Sequence, residues 1–534
     1  MREELEQKIA AACKDLFEVD DAIELTRPEP QFGDFSTNVA LKLAKQLSQN
    51  PREVAEALAV KLRETLGGQV SKVDIAGPGF INLTLNDKAL FKGLESKPAQ
   101  SYAGQEVLVE FGDPNPFKAM HIGHLYSYIV GDAISSLLEV AGANVKRLSY
   151  HGDVGLHVAK ALWAMQQDGA PAEIGLAYAK GAQAYEEDGQ AKDQIDTINA
   201  KIYANDSAIK ELYDEGKQRS FVDFDQTLKE LGIKNDKRYL ESESAPAGIA
   251  MVKANTGKVF KESDGAVIYE GEKAGLHTRV FITGKGLPTY ETKDLGLTTL
   301  KDKDYPEAAL SVIITAHEQA EYFKVMLAAL NEIRPEVAKK TRHLSHGFVS
   351  LSSGKMSSRT GDVYSAVNLL ADVKAVADKL FPNAAHDIQL GAVKYAFTKH
   401  RLGGDLVYDI NESVSLEGNS GPYLQYAHAR ARSILHKAEK SGGLENAELE
   451  ADERLLVRKL TEYPETVDRA VQELMPHHVC TYLYELAQVF NRFYEHNRVI
   501  GDKREVIRLG LVQRYAETLQ FGLQTLGMAA PDKM

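Results

Sequence analysis

The chain has 534 residues, too many for one hydrophobic core, so three or four domains are expected. A hydrophobic content of 44% with 26% charged residues is that of a globular protein, and no apolar run approaches the roughly 18 residues that span a bilayer, which argues against membrane insertion. A net charge of −13 argues against nucleic-acid binding by bulk electrostatics and leaves only local basic patches for such a role.

The first segment, residues 1–97, reads as an α+β unit, with helices over Glu4 to Phe17 and Pro51 to Leu66 and strands over Val73 to Ala76 and Phe80 to Leu85. Its acidic start, Glu3, Glu4, Glu6 and Asp15, lacks a secretory core or a transit composition, so the cytoplasm is the expected location. A polar linker, Ser96 to Gly104, follows. From Glu106 strands alternate with helices, which predicts a Rossmann-like parallel sheet over residues 105–375. An insertion over about 165–285 interrupts it, first as an acidic, Ala-rich helical tract from Met165 to Arg219 and then as strand-like segments at Gly265 to Tyr269 and Thr278 to Ile282. The sheet resumes at Leu310 to Thr315, with a helix from Ala320 to Ile333. Strand patterns vanish from about Asn368, and residues 376–534 read as an all-α helical bundle. The predicted fold class is therefore multidomain α/β, with an N-terminal α+β domain and a C-terminal helical domain around that core. Two cysteines, Cys13 and Cys480, exclude a disulfide framework and a Cys-rich zinc site. Any metal would be Mg²⁺ arriving with a nucleotide.

Two short segments carry the chemistry. His121-Ile122-Gly123-His124 lies between the apolar run Val107 to Phe111 and a stretch with Leu125, Ile129, Ala133 and Leu137 at helical spacing, so it opens a helix after a strand. A helix N-terminus offers N–H groups and a positive dipole end to phosphates, imidazoles donate further hydrogen bonds, and Gly123 admits a flat base. Gly354-Lys355-Met356-Ser357-Ser358 reads as a mobile loop carrying one cation to a triphosphate. Each alone has a bland alternative, a helix-start histidine bonded to backbone or a surface lysine. Together they describe an ATP site with His121, His124 and Lys355 as the catalytic contacts and Gly123, Met356, Ser357 and Ser358 beside them.

The pair resembles the two motifs of class I aminoacyl-tRNA synthetases. Glu110-Phe111-Gly112-Asp113-Pro114-Asn115, Lys118-Ala119-Met120 and Ser149 to Gly155 are similar to the arginine-specific family. Gly33 to Asn38 and Gly77 to Asn82 resemble that family's N-terminal domain, which reads the outer corner of tRNA; Tyr423 to Arg430 and Leu526 to Pro531 resemble its anticodon-binding domain. The resemblance implies ATP, L-arginine and tRNA(Arg) as partners. It also implies an arginine pocket of Asn115, Glu110, Glu241, Tyr290, Asp294 and Gln319, Asn115 for the α-groups and Glu241 and Asp294 for the guanidinium, and tRNA contacts at Tyr423, Gln425, Tyr426 and Arg430. A monomer is expected. Planar guanidinium demands carboxylates because a buried cation left unpaired is costly. The chain departs from the family at Tyr126, where a basic residue is common, at Val154, where tryptophan is common, and at Asp113, where serine is usual. Another class I synthetase, a nucleotidylyltransferase, or a tRNA-binding paralogue without activity are the competing readings; a paralogue would be expected to lose His121, His124 or Lys355.

Overall fold

A computed structural model describes residues 1–20, 22–352, 364–382, 385–444 and 448–534. The loop with Lys355, Met356, Ser357 and Ser358 lies outside the described residues.

At the centre is a five-stranded sheet in the order Thr341–His346, Leu310–Ala316, Glu106–Glu110, Asn144–His151, Lys237–Leu240. Every pairing is parallel, as crossover helices require. Val107, Leu108 and Val109 are buried, and so are Val312, Ile313 and Ile314 beside them, the continuous apolar run of a strand covered on both faces. The chain's first core strand sits in the middle, and later strands add to its two sides. Strand order therefore reverses between Glu106–Glu110 and Leu310–Ala316, and the crevice beyond their carboxyl ends is where such sheets bind ligands.

Two expectations are corrected. Residues 165–285 are not one insertion, because Lys237–Leu240 within them is the edge strand of the sheet, parallel to Asn144–His151. The helices Ile174–Glu187, Gly189–Tyr203 and Ser207–Leu231 precede it, and the antiparallel strands Lys261–Ser263, Ala266–Tyr269 and Arg279–Ile282 follow it. Four residues beginning Lys-Arg carry no apolar periodicity, so the edge strand is invisible to a pattern search. Strands also do not end at Asn368: Leu406–Tyr408 pairs in parallel with Val349–Leu351, and three residues are too few to show a period.

The N-terminal unit folds as helices Arg2–Phe17, Val39–Leu47 and Pro51–Leu66 against a three-stranded antiparallel sheet. It is fastened to the C-terminal helices. Asp34, 1% exposed, accepts from the Leu85 N–H at 2.7 Å and from Arg454 at 2.6 Å, and Arg454 also reaches Asp87 at 2.9 Å. Arg27 pairs with Glu465 at 2.7 Å. The Gly33-Asp34 turn is thus built for this junction. Asp34→Ala would leave two arginines facing a void, Arg454 and Arg458, and should lower unfolding stability by about 2–3 kcal/mol, the scale of a charge-assisted hydrogen bond, read by chemical denaturation.

The far end of the chain is tied down in the same way. Lys394 donates to the Gly527 carbonyl at 2.7 Å, Gln425 to that of Ala529 at 3.0 Å, and His428 contacts that of Pro531 at 3.0 Å. No helix among the described residues is long and apolar enough to cross a membrane.

Candidate active site

His121 is the N-cap of the Ile122–Val140 helix, which starts at the carboxyl edge of the sheet. Its Nδ1 accepts from the N–H groups of Gly123 at 3.1 Å and His124 at 3.4 Å, while His124 Nδ1 accepts from the His121 N–H at 3.3 Å. The two histidines form a reciprocal capping box with their rings stacked at 3.6 Å. The remaining first-turn donors are also engaged, Ile122 N–H by the Tyr364 carbonyl and Leu125 N–H by that of His121. The expectation of free backbone N–H groups for phosphate is therefore corrected. What the helix presents is its dipole and two imidazole Nε2–H groups, because Nδ1 is the acceptor in both rings. Burial, with Lys118 and His346 nearby, pushes the His121 pKa down to about 4, and burial and the neighbouring histidines hold His124 well below its usual value. Both are neutral donors near pH 7.

A cavity of about 410 Å³ lies on the Lys118 side of this cap, lined in part by Asn115, Lys118, His157, Glu241, Tyr290 and Lys293. Asn115 follows the central strand, and its Oδ1 accepts from the Gly152 N–H at 3.1 Å. Glu241 starts a helix, Glu241–Ala254, held by Asp153, whose buried carboxylate accepts from Ser242 N–H at 3.0 Å, Ser242 Oγ at 2.7 Å and the Tyr213 hydroxyl at 2.7 Å. Tyr290, 64% exposed, stands on the rim, and Asp294, one turn along the same helix, is buried. Burial first, then Glu110 and Glu241, raise the Asp294 pKa well above the usual carboxylate range. A buried acid with that shift is stabilised as a carboxylate by a cation brought beside it. The Tyr322 hydroxyl donates to Gln319 Oε1 at 3.2 Å and lies beside Asp294. Glu110 is buried and ion-paired with buried Lys301, and neither it nor Asp294 nor Gln319 is among the residues lining this cavity.

The Glu241–Ala254 and Tyr290–Asp304 helices meet backbone to backbone. A Cβ on Gly248 would lie 1.9 Å from the Thr292 carbonyl oxygen, and one on Gly296 2.0 Å from that of Ser244. Only glycine permits that approach, and it sets the distance between Glu241 and Asp294. Gly296→Ala should separate the helices, destabilise the protein by about 1–3 kcal/mol and raise the KM of the amino-acid substrate by about tenfold, read by denaturation and steady-state kinetics.

Residues 87–401, more than half the chain, match the family described as tRNA synthetases class I (R), catalytic domain. Residues 3–85 match the arginyl tRNA synthetase N terminal domain, and residues 424–534 the DALR anticodon binding domain. The chain belongs to the class I arginyl-tRNA synthetase family. It is 28% identical to the arginine–tRNA ligase of Porphyromonas gingivalis over 100% of this chain and 99% of that one, and 29% identical to that of Treponema denticola over 88% and 87%. Thermus thermophilus arginyl-tRNA synthetase superposes with a TM-score of 0.85 at 26% identity, covering 100% of both chains. The Plasmodium falciparum enzyme shares the fold at 20% identity, with a TM-score of 0.82 over 100% of this chain and 99% of that one. The chain is accordingly a class I aminoacyl-tRNA ligase that uses ATP and joins arginine to tRNA.

Its departures from the family have local explanations. Tyr126 is fully buried against His346 and Phe397, with ring centroids at 4.8 and 5.3 Å, so it is a core residue with no route to a phosphate. Val154 packs against the helical insertion and lines the cavity. Asp113 accepts from the Tyr150 N–H at 2.7 Å, pinning the loop after the central strand to its neighbour. In the helical domain, Tyr423, Tyr426 and Arg430 lie on one face of the Gly421–Lys437 helix, Tyr426 exposed and Arg430 4.6 Å from the Tyr494 ring centroid. Gln425 cannot share that face. It is fully buried and donates to the carbonyls of Asp387 and Ala529, which overturns its reading as a tRNA contact.

Sequence reasoning missed Lys293, Lys301, Tyr322 and Asp153. Lys301 follows Asp294 by seven residues, two helical turns, which was the available signal for a shared face. Nothing local marks Tyr322 or Lys293.

Proposed function

We propose that the cavity beside the His121 cap is where arginine and ATP react. Arginine's carboxylate oxygen attacks the α-phosphorus of ATP, pyrophosphate leaves with the broken P–O bond, and a ribose hydroxyl at the tRNA 3′ end then attacks the acyl carbon, releasing AMP. No side chain need act as nucleophile; positioning and charge stabilisation suffice. The His121 and His124 Nε2–H groups donate to phosphate oxygens, Gly123 admits the adenosine, and Lys355, with Met356, Ser357 and Ser358 around it, stabilises the departing pyrophosphate. Mg²⁺ is carried on the ATP phosphates. Asn115 holds the α-groups, and Asp294, with Glu241, Tyr290 and Gln319, receives the guanidinium.

The observation that carries this reading is the pair of buried carboxyls, Asp294 and Glu241, near enough to act on one another electrostatically, in a core whose central helix starts with two imidazoles presenting Nε2–H. We further propose that the protein works as a monomer in the cytoplasm. Its tRNA(Arg) lies along the N-terminal unit and the face bearing Tyr423, Tyr426 and Arg430. The test is pyrophosphate exchange with each standard amino acid, with and without total tRNA. Arginine alone should support exchange, and it should do so strongly only when tRNA is present. Exchange driven by another amino acid would overturn the reading.

A further inference from the structure

Lys293 is the one cation that reaches into the amino-acid cavity from the same helix as Asp294. Its ammonium donates to Glu241 Oε2 at 2.5 Å, and both side chains are nearly buried, at 9% and 10% exposure. The other oxygen of Glu241 is turned elsewhere. A Cβ built on Gly152 would lie 3.3 Å from Glu241 Oε1 and 2.6 Å from Asn115 Oδ1, so that oxygen and the Asn115 amide flank the same glycine at the cavity wall. Glu241 is a divided carboxylate, one oxygen spent on the protein and one offered to a ligand.

We propose that Lys293 is a positioning residue for arginine recognition: by holding Oε2 it fixes the Glu241 carboxylate so that Oε1 faces the cavity. This rests on the assignment of the cavity to arginine. The helix geometry supports it, since residues 293 and 294 are about 100° apart around the axis and deliver a cation to Glu241 and an anion to Tyr322 from one turn. Electrostatics supports it independently. Burial raises the Glu241 pKa, Lys293 opposes that rise, and Asp153 adds to it. The other titratable and charged groups facing the pair are Tyr150, Asp294, Tyr203, Tyr290 and His157; Lys118 and Lys160 line other parts of the cavity, and Lys217 pairs with Asp153 at 3.7 Å. Lys293 alone among these cations bonds Glu241, and burial drives His157 down to about 4, so that it is neutral near pH 7.

Without the ammonium, the Glu241 carboxyl takes up a proton over a higher pH range. A protonated carboxyl offers an O–H where arginine, whose guanidinium has only donors, needs an acceptor. Lys293→Met keeps the apolar stem and removes the charge, whereas Lys293→Arg keeps the charge. In the full-length enzyme with saturating tRNA(Arg), Lys293→Met should raise the arginine KM about tenfold or more at pH 7, the scale of one charge-assisted hydrogen bond, with ATP KM unchanged. Its kcat/KM for arginine should recover as pH rises, with the acid limb displaced to higher pH than in the parent enzyme. Lys293→Arg should restore both readings to within about threefold.

A purely structural lysine would not shift the acid limb. A Lys293→Met enzyme with an unmoved pH profile, or a Lys293→Arg enzyme as impaired as Lys293→Met, would overturn the proposal. Failure of the parent enzyme to use arginine at any pH would instead overturn the assignment of the cavity. Thermal unfolding of each variant separates these outcomes from loss of fold.

Discussion

Replacing Asp294 by asparagine is expected to lower kcat/KM for arginine by at least about 10²-fold while ATP KM stays nearly constant. The change preserves shape and removes charge. Asparagine's amide offers one acceptor and presents N–H donors to a guanidinium that has only donors, so a cation is brought into a buried site without its counter-charge. Breaking a buried pair by removing one partner typically costs about 3–5 kcal/mol, which sets the size of the effect. Tyr322 remains beside the neutral side chain, itself held by Gln319, so loss of fold is not the expected cause. Citrulline supplies the control. Its ureido group carries a carbonyl acceptor, so its relative disadvantage against arginine should shrink in the variant. Equal use of arginine before and after the change would remove Asp294 from the pocket.

Much of the fold was written in local patterns, and what was missed shares a cause. Long periodic elements were placed to the residue, as with Pro51–Leu66, Phe80–Leu85 and Ala320–Ile333. Lys237–Leu240 and Leu406–Tyr408 were lost because an edge strand of three or four residues has no period to read. At the site, the helix start was legible and so were Glu241 and Asp294 as candidate carboxylates, both buried in the fold, but not their partners. Lys293 and Glu241 are 52 residues apart, and the Asp34 junction joins residues 420 apart, contacts that exist only after folding. The histidine tetrad shows a subtler limit. Its position was legible, yet which nitrogen faces the ligand depends on backbone geometry at the cap, and that geometry consumed the very N–H groups expected to bind phosphate. Gln425 was misread for a related reason: consecutive residues on a helix cannot all face one way.

That cap makes a separation of structure from chemistry possible, and His121→Asn is the substitution that uses it. Asparagine is among the most favoured N-cap residues, and its side-chain oxygen can accept from the Gly123 and His124 N–H groups as His121 Nδ1 does. The helix should therefore keep its start, with unfolding stability within about 1 kcal/mol of the parent. The Nε2–H beyond the cap is lost. Removal of one preorganised donor from a developing phosphate charge costs about 10²–10³ in kcat, and a fall of about 10² in arginine activation with arginine affinity retained is expected here. The pH profile adds a second reading. Because burial pushes the His121 pKa down to about 4 and holds that of His124 well below its usual value, both rings are neutral in the free enzyme from pH 6 to 8, and neither should contribute a limb to kcat/KM for ATP in that range. If kcat/KM for ATP in the parent enzyme instead fell as pH rose through that range, with an alkaline limb that disappeared in His121→Asn, the imidazole would be acting as a cation, and the neutral-donor assignment drawn from the capping box would be wrong.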